Sequence, residues 1–339
     1  MGSRTTINDV AAAAGVSVAT VSKAVNGRYG VASATVARVL SVVQELGYES
    51  SLVASSMRSR RTGVIGVLIA DFEPFSAEIL KGVGTELQDS HYDLLAYAGS
   101  RQVEGPGWER RSLQRLSGTL IDGAIIVTPT VVSASADIPV VAIDPHAGRA
   151  DLPTVESDSF SGARQATQYL IDLGHTRIGF MGGRPDLRSA ALREAGYRRA
   201  LSDAGIAYDA SLVRDGHYEL RAAREATASL LRASSPPTAV FAANDLSGIA
   251  IVQVAAELGV DVPGDLSVVG FDDIPEASQM TPPLTTIRQP MQSLGATAAR
   301  MVVALMAGET PEMTHILLPT RLVPRATTAP PRAMGIVRS

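Results

Sequence analysis

From Gly63 onward the chain alternates short apolar segments with segments long enough for a helix, and no other feature restricts its fold as strongly. The predicted strands are 64–70, 93–98, 124–128, 140–144, 178–181, 212–215, 239–243 and 267–271. Predicted helices over 76–90, 161–173, 190–204, 221–231, 245–258 and 291–307 separate many of them. Apolar strands joined by helices imply parallel, doubly wound sheets, because a parallel pair needs a crossover and the helices then cover both faces. Ligands of such sheets bind beyond the carboxyl ends of the strands, so those ends are where functional side chains are expected.

The first 62 residues read differently. They hold seven Lys/Arg against three acids, a net +4, whereas the remainder carries −8. A basic module on an acidic body suits a nucleic-acid partner for the module alone. Thr6 is placed to cap a helix over 7–14 with Asp9 in its first turn, and Gly15 ends it. Ser17 is placed to cap a second helix from Val18 to about Asn26. A third, 33–46, would turn Val36, Val39, Leu40, Val43 and Leu46 to one face and stop at Gly47. Helix, tight glycine turn and capped second helix make a helix-turn-helix, whose second helix enters the major groove. The alternative is a three-helix bundle without a DNA partner.

At 339 residues the chain is expected to form about two domains, at about 150 residues each. The segment 50–61, rich in Ser and Arg, reads as a linker with some helical potential. Cysteine is absent, which leaves no disulfide and no thiolate metal site. Residues 1–10 lack the apolar stretch of a signal peptide, and no run approaches the ~20 apolar residues that span a bilayer. A cytoplasmic protein without a membrane partner is expected.

Several motifs in series carry a resemblance. The segment TINDVAAAAGVSVATVSKAVNG is similar to the helix-turn-helix of the lactose-repressor (LacI) family, and VVQELGY to its third helix. GVIGVLIADFEPF, LIDLGHTRIGFMGG, REAGYRRAL, AVFAANDLSGIA, DLSVVGFDD and PPLTTIRQP resemble the family's sensor domain, in the family's order, from Thr6 to about Arg325. The resemblance implies an all-α helix-turn-helix head (1–48), a hinge (49–62) and an α/β, two-lobed, periplasmic-binding-protein-like body (63–329), followed by a tail (330–339). One lobe would comprise 63–160 and 290–318, the other 161–289 and 319–329.

On this reading the recognition helix offers Val18, Ala19, Thr20, Ser22, Lys23 and Asn26. Val18 and Ala19 suit thymine methyl groups, and Lys23 suits guanine acceptors or phosphate. Ser17, Ser22 and Asn26 suit phosphates or caps, and Val21 belongs to the core. Two residues depart from the family's pattern. Ala32 stands where a capping Ser is usual, with Ser33 as a substitute cap, and Val36 stands where an Arg is common. Met57 takes the place of the hinge leucine that the family inserts into the central minor-groove step, flanked by Arg58, Arg60 and Arg61.

For the effector the resemblance supplies Asp71, Phe72 and Phe75 after the first strand, Asp144, Arg193, Tyr218, Asn244 with Asp245 beside it, and Asp272. Carboxylates and amides grip sugar hydroxyls, and aromatic faces take the C–H side of the ring. Each residue also has a plainer role open to it: Asp144 and Asp245 as helix caps, Phe72 and Phe75 as core, Arg193 as the ion-pair partner of Asp272.

The implied function is a sequence-specific transcriptional regulator. It would be a homodimer on a near-palindromic operator, a repressor of carbohydrate-utilisation genes released by a mono- or oligosaccharide. A corepressor-dependent regulator of nucleobase type and a sugar-binding protein without DNA are the alternatives. No hydrolase elbow, Walker loop or His-Glu-x-x-His motif is present, and the five histidines lack ligand spacing. No enzymatic activity, cofactor or metal is therefore expected, and His175, in LGHTRIG, reads as structural.

Overall fold

The computed structural model describes residues 5–25, 29–48, 61–99, 107–130, 137–146 and 152–332. They fall into two compact units divided at Thr62/Gly63, residues 118–120 aside.

The head is three helices, α1 (Ile7–Ala14), α2 (Val18–Val25) and α3 (Ser33–Glu45). The backbone N–H and hydroxyl of Thr6 both donate to Asp9 Oδ2, each at 2.7 Å, and Gly15 closes α1 at φ 64°. Ser17 Oγ accepts from the backbone N–H of Thr20 at 3.1 Å and so caps α2. In α3 the cap position falls on Ala32, without a side-chain bond, and Ser33 is the first helical residue rather than the substitute cap. Val10, Ala11, Ala14, Val21, Ala24 and Val39 form the core, with Val36, Val42 and Val43 packed against it. Leu40 and Leu46, expected on that face, are exposed; the helical sweep turns Val42 inward instead.

The body contains two six-stranded sheets. The first is ordered β11–β5–β4–β3–β1–β2 and is parallel throughout: β1 (Val64–Ile69), β2 (Asp93–Ala98), β3 (Gly123–Val127), β4 (Val140–Ile143), β5 (Thr154–Ser157) and β11 (His315–Leu318). The second is ordered β12–β10–β9–β8–β6–β7: β6 (Ile178–Gly182), β7 (Val213–Asp215), β8 (Ala239–Ala242), β9 (Ser267–Asp272), β10 (Thr285–Arg288) and β12 (Arg321–Val323), of which only β12 runs antiparallel. The inner strands β1, β3, β4, β8 and β9 are buried at every residue, as helices on both faces demand.

Helices α4 (Pro74–Leu87), α5 (Trp108–Leu116) and α11 (Met291–Met306) accompany the first sheet. With the second lie α6 (Ser159–Asp172), α7 (Arg188–Asp203), α8 (Leu220–Leu231), α9 (Asp245–Glu257) and the short α10 (Pro275–Gln279). The chain therefore passes between sheets three times: after Ser157, after Arg288, and between Leu318 and Arg321. Helices α4 and α11 approach closely through Gly82 and Gly295, where an added Cβ would overlap the backbone of Gln292 and Ile79 respectively.

His175 is buried and joins three segments, contacting Thr238 Oγ1 (2.9 Å), Ser267 Oγ (3.1 Å) and the Ala329 carbonyl (3.0 Å). Arg332 reaches Asp261 at 3.3 Å and also pairs with Asp265.

Candidate effector cleft and DNA-binding helix

The strand ends of the two sheets converge on a cleft of about 590 Å³. Asp71, Thr128, Asp144 and His146 line it beyond β1, β3 and β4; Arg184, Tyr218, Asn244, Asp272 and Gln289 line it beyond β6, β7, β8, β9 and β10. The backbone is strained there. Among the described residues, non-glycine positive φ occurs at Thr128, Asp144, His217, Tyr218, Asp272 and Asp273; the first five line the cleft. Left-handed residues at strand ends turn the chain sharply and present the side chain across the opening.

Arg193, on the second turn of α7, is 5% exposed. Its guanidinium lies 3.8 Å from the centre of the Phe271 ring and 5.5 Å from that of Tyr218. Nη1 donates to the Ala243 carbonyl and sits 3.5 Å from Asp272 Oδ1, while Nε is 3.4 Å from Ser159 Oγ. Asp272 Oδ1 also accepts from Gln289 Nε2 at 2.6 Å. Burial pushes the Asp272 carboxyl up to about 7, with Arg193 opposing. Asn244 caps α9, accepting from the Ser247 N–H at 3.1 Å, and Nδ2 donates to the Tyr218 carbonyl at 3.3 Å. That leaves one amide hydrogen for a ligand.

Asp144 does not cap a helix; it accepts from the backbone N–H of Ser157 at 2.9 Å, and burial pushes it up to about 6. Asp245 does not cap one either. It is buried, accepting from the Ile274 N–H (2.9 Å) and the Thr286 hydroxyl (2.5 Å). Tyr218 packs face-on against Gly183, where any Cβ would overlap the ring, and its hydroxyl is 3.4 Å from Ser189 Oγ.

Of the sequence-derived set, the cleft gathers Asp71, Phe75, Asp144, Arg193, Tyr218, Asn244 and Asp272. Phe72 is not part of it: the residue is 60% exposed and lies outside the lining, although its neighbours Asp71 and Glu73 belong to it. Sequence reasoning missed Glu73, His146, Arg184, Ser189 and Gln289. Gln289 stood in the quoted TTIRQP motif, and recognising TTIR as a strand would have placed it at a strand end. Burial lowers the His146 imidazole to about 4, so it is neutral near pH 7. Among the described residues no group of three or more His, Asp or Glu side chains is placed to hold a metal ion, and no helix is long and apolar enough to cross a membrane.

In the head, α2 turns Val21 and Ala24 inward and exposes Val18, Ala19 and Lys23, with Ser17 exposed just before it. Positions 18, 19, 22 and 23 are neighbours on a helix, so they form one outward face. Ser22 is half-buried, and Thr20 is half-buried with its hydroxyl 2.9 Å from Ser17 Oγ. Asn26 and Met57 lie outside the described residues.

Comparison with known proteins decides what this arrangement is. Residues 6–51 match the bacterial regulatory proteins of the lacI family, and residues 167–328 match the periplasmic binding protein-like domain. The transcriptional regulator CelR of Thermobifida fusca is 34% identical over 341 residues, covering 95% of this chain and 98% of CelR. The chain belongs to the lacI family. A solved CelR–cellobiose complex is 33% identical with a TM-score of 0.71, covering 96% of this chain and 100% of the other. The lac repressor dimer bound to operator and the anti-inducer ONPF is 27% identical, with a TM-score of 0.84 and the same coverage. This lacI-family chain is accordingly a DNA-binding transcriptional regulator, with a helix-turn-helix head and a periplasmic-binding-protein-like body.

Proposed function

We propose that this lacI-family regulator represses carbohydrate-utilisation genes and leaves its operator when a mono- or oligosaccharide fills the cleft. One observation carries the reading. Asp272 and Asn244 sit at strand ends of one sheet with Arg193 paired to Asp272 from α7, and Asp71 and Asp144 sit at strand ends of the other, so donors and acceptors face the same space from both sides. A pyranose presents hydroxyls all round its rim and needs such a two-sided set. The relative CelR has been captured with cellobiose, which supports a sugar here.

The regulator acts as a homodimer. One head reads too few base pairs for useful specificity, and a two-fold protein matches a two-fold site; the lac repressor relative binds its operator as a dimer. The exposed face of α2 enters the major groove, and Met57 of each subunit wedges into the central minor-groove step.

The test is operator affinity. DNA selected by the purified protein from a random pool is titrated with and without cellobiose, ribose, lactose, hypoxanthine and guanine. A sugar that weakens binding at least tenfold, about 1.4 kcal/mol, is the expected result. Tighter binding with a nucleobase would replace this reading by a corepressor-dependent one.

A further inference from the structure

Two cleft carboxyls on different sheets are joined by an unbroken path of side chains at the points where the chain crosses between sheets. Ser157 ends β5; its N–H donates to Asp144 Oδ1 at 2.9 Å and its hydroxyl lies 3.4 Å from Asp144 Oδ2. The same hydroxyl bonds Gln289 Oε1. Gln289 follows β10; its Nε2 donates to Asp272 Oδ1 at 2.6 Å and its backbone N–H to the Asp272 carbonyl at 3.1 Å. Ser157, Gln289 and Asp272 are all more than nine-tenths buried.

Counting hydrogens gives this path a direction. Asp272 Oδ1 faces donors from both Gln289 and Arg193, an environment for a carboxylate ion. Turning the Gln289 amide over would set Oε1 against that ion, so Nε2 faces Asp272 and Oε1 faces Ser157. Ser157 has one hydroxyl hydrogen, and Gln289 Oε1 takes it. The contact with Asp144 Oδ2 is then a hydrogen bond only if Asp144 supplies the proton.

We propose that Ser157 and Gln289 are positioning residues of the effector site, whose relay keeps a proton on Asp144 and leaves Asp272 charged. Burial is the main force on Asp144 and raises it, with Glu156 beside it on β5 acting in the same direction; the Ser157 N–H, and after it Arg193 from α7, oppose. Asp272 is faced by Arg193, Gln289, Glu73 from the α4 end, Asp144, and the buried Asp245. Burial draws Asp272 up to about 7 and Asp144 up to about 6, an order that would protonate Asp272 first; the two donors on Asp272 Oδ1, one of them cationic, reverse it and leave the proton on Asp144.

The inference rests on the proposed effector site for its consequence. A sugar hydroxyl donates more strongly to the ionised carboxylate than to the protonated acid, so binding favours release of the proton, and effector affinity rises with pH by up to about tenfold per unit until Asp144 is ionised in the free protein.

Infrared difference spectra of the full-length protein between pH 5 and 8 test the proton directly. A protonated-carboxyl band is expected, and Asp144→Asn, whose amide can donate to Ser157 in the same way, removes the component that titrates near pH 6. In Gln289→Leu the Ser157 hydroxyl is freed to donate to the Asp144 carboxylate, and the band titrates about one pH unit lower; a merely structural Gln289 would change melting without moving that midpoint. A band unaltered in Asp144→Asn overturns the proposal, as does an unshifted midpoint in folded Gln289→Leu. If Gln289→Leu does not fold, Asp144→Asn decides. Calorimetry with cellobiose at pH 6, in two buffers of different ionisation heat, is expected to show proton release that Asp144→Asn loses. If cellobiose does not bind, the spectra still decide the relay, and only the choice of sugar fails.

Discussion

The guanidinium of Arg193 rests 3.8 Å from the Phe271 ring centre while its Nη1 lies 3.5 Å from Asp272 Oδ1. Phe271 and Asp272 are adjacent on β9, so one strand supplies both the platform and the counter-ion. Stacking fixes the plane of the guanidinium and the carboxylate fixes its rotation, which aims the remaining N–H groups before any ligand arrives. Such preorganisation lowers the ordering cost of binding.

Replacing Asp272 by Ala removes an acceptor for ligand hydroxyls and leaves Arg193 buried without its partner. Effector affinity is expected to fall by on the order of 2–4 kcal/mol, with operator affinity in the absence of effector almost unchanged. Calorimetry and DNA titration on the same preparation check both; equal effector affinity in Asp272→Ala and the parent would remove the residue from the site.

The α4–α11 packing depends on two missing side chains. Gly82→Ala drives a methyl into the backbone of Gln292, and Gly295→Ala does the same toward Ile79. Backbone cannot swing aside as a side chain does, so each variant should lose roughly 1–3 kcal/mol of stability, read as a lower midpoint in urea. Gly84→Ala on the same helix, with only Leu94 Cδ2 at 4.0 Å, is the control and should be neutral or slightly stabilising.

The parts of this fold that could be read from the sequence are those whose burial is uniform. Central strands such as β1, β3 and β9 announce themselves because helices cover both faces. Strands β5 (TVES), β10 (TTIR) and β12 (RLV) do not, since their polar residues satisfy crossings and strand ends rather than a core. Helix α5 was equally hidden: WERRSLQRL is highly charged, yet Trp108, Ser112, Leu113 and Leu116 are buried, and Glu109 is held by the N–H and hydroxyl of Thr130. The site followed the same division. Arg193, Asn244 and Asp272 stood in motifs that assign them a role, whereas His146 stands outside any motif, and Glu73 and Gln289, though inside quoted motifs, become cleft residues only when the strand ends meet. Phe72 failed because neighbouring loop residues point to opposite sides, and sequence alone does not say which.

Acid stability offers a test of the cleft's electrostatics. His146 titrates near 6.5 when unfolded and about 4 when folded, so its contribution is complete above 6.5 and falls as the pH drops toward 4. His175, also lowered by burial, acts with the same sign. Asp144 has the opposite sign: raised from 3.8 to about 6, it contributes fully below 3.8 and loses that contribution as the pH rises through 6. The slopes oppose one another over the same window. Asp144→Asn removes one of them, so its melting temperature should fall more steeply than the parent's between pH 6.5 and 4. Parallel profiles would show that Asp144 has no raised value.

Met57 gives a prediction for the hinge. An apolar wedge costs a few kcal/mol of unstacking, repaid by bending and backbone contacts on the matching site alone. Met57→Gly should therefore lose specific operator binding while keeping non-specific binding and effector affinity. Unchanged operator affinity would end the assignment.

The two ends of the exposed α2 face should fail differently. Val18 and Ala19 open the helix, the part of a recognition helix that meets base edges, whereas Lys23 lies in its last turn. At that distance along the axis Lys23 is expected to hold a phosphate. Lys23→Ala should then weaken every DNA sequence alike and reduce the slope of log affinity against log salt by about one. Val18→Ala removes methyl contact with one base pair and should cost about 1–3 kcal/mol on the preferred sequence only, with the salt slope intact. Titrating both variants against the selected operator and one scrambled duplex, at three salt concentrations, separates the two. If Lys23→Ala instead relaxes the choice at a single base pair and leaves the slope alone, Lys23 reads guanine, and the helix lies deeper in the groove along its whole length.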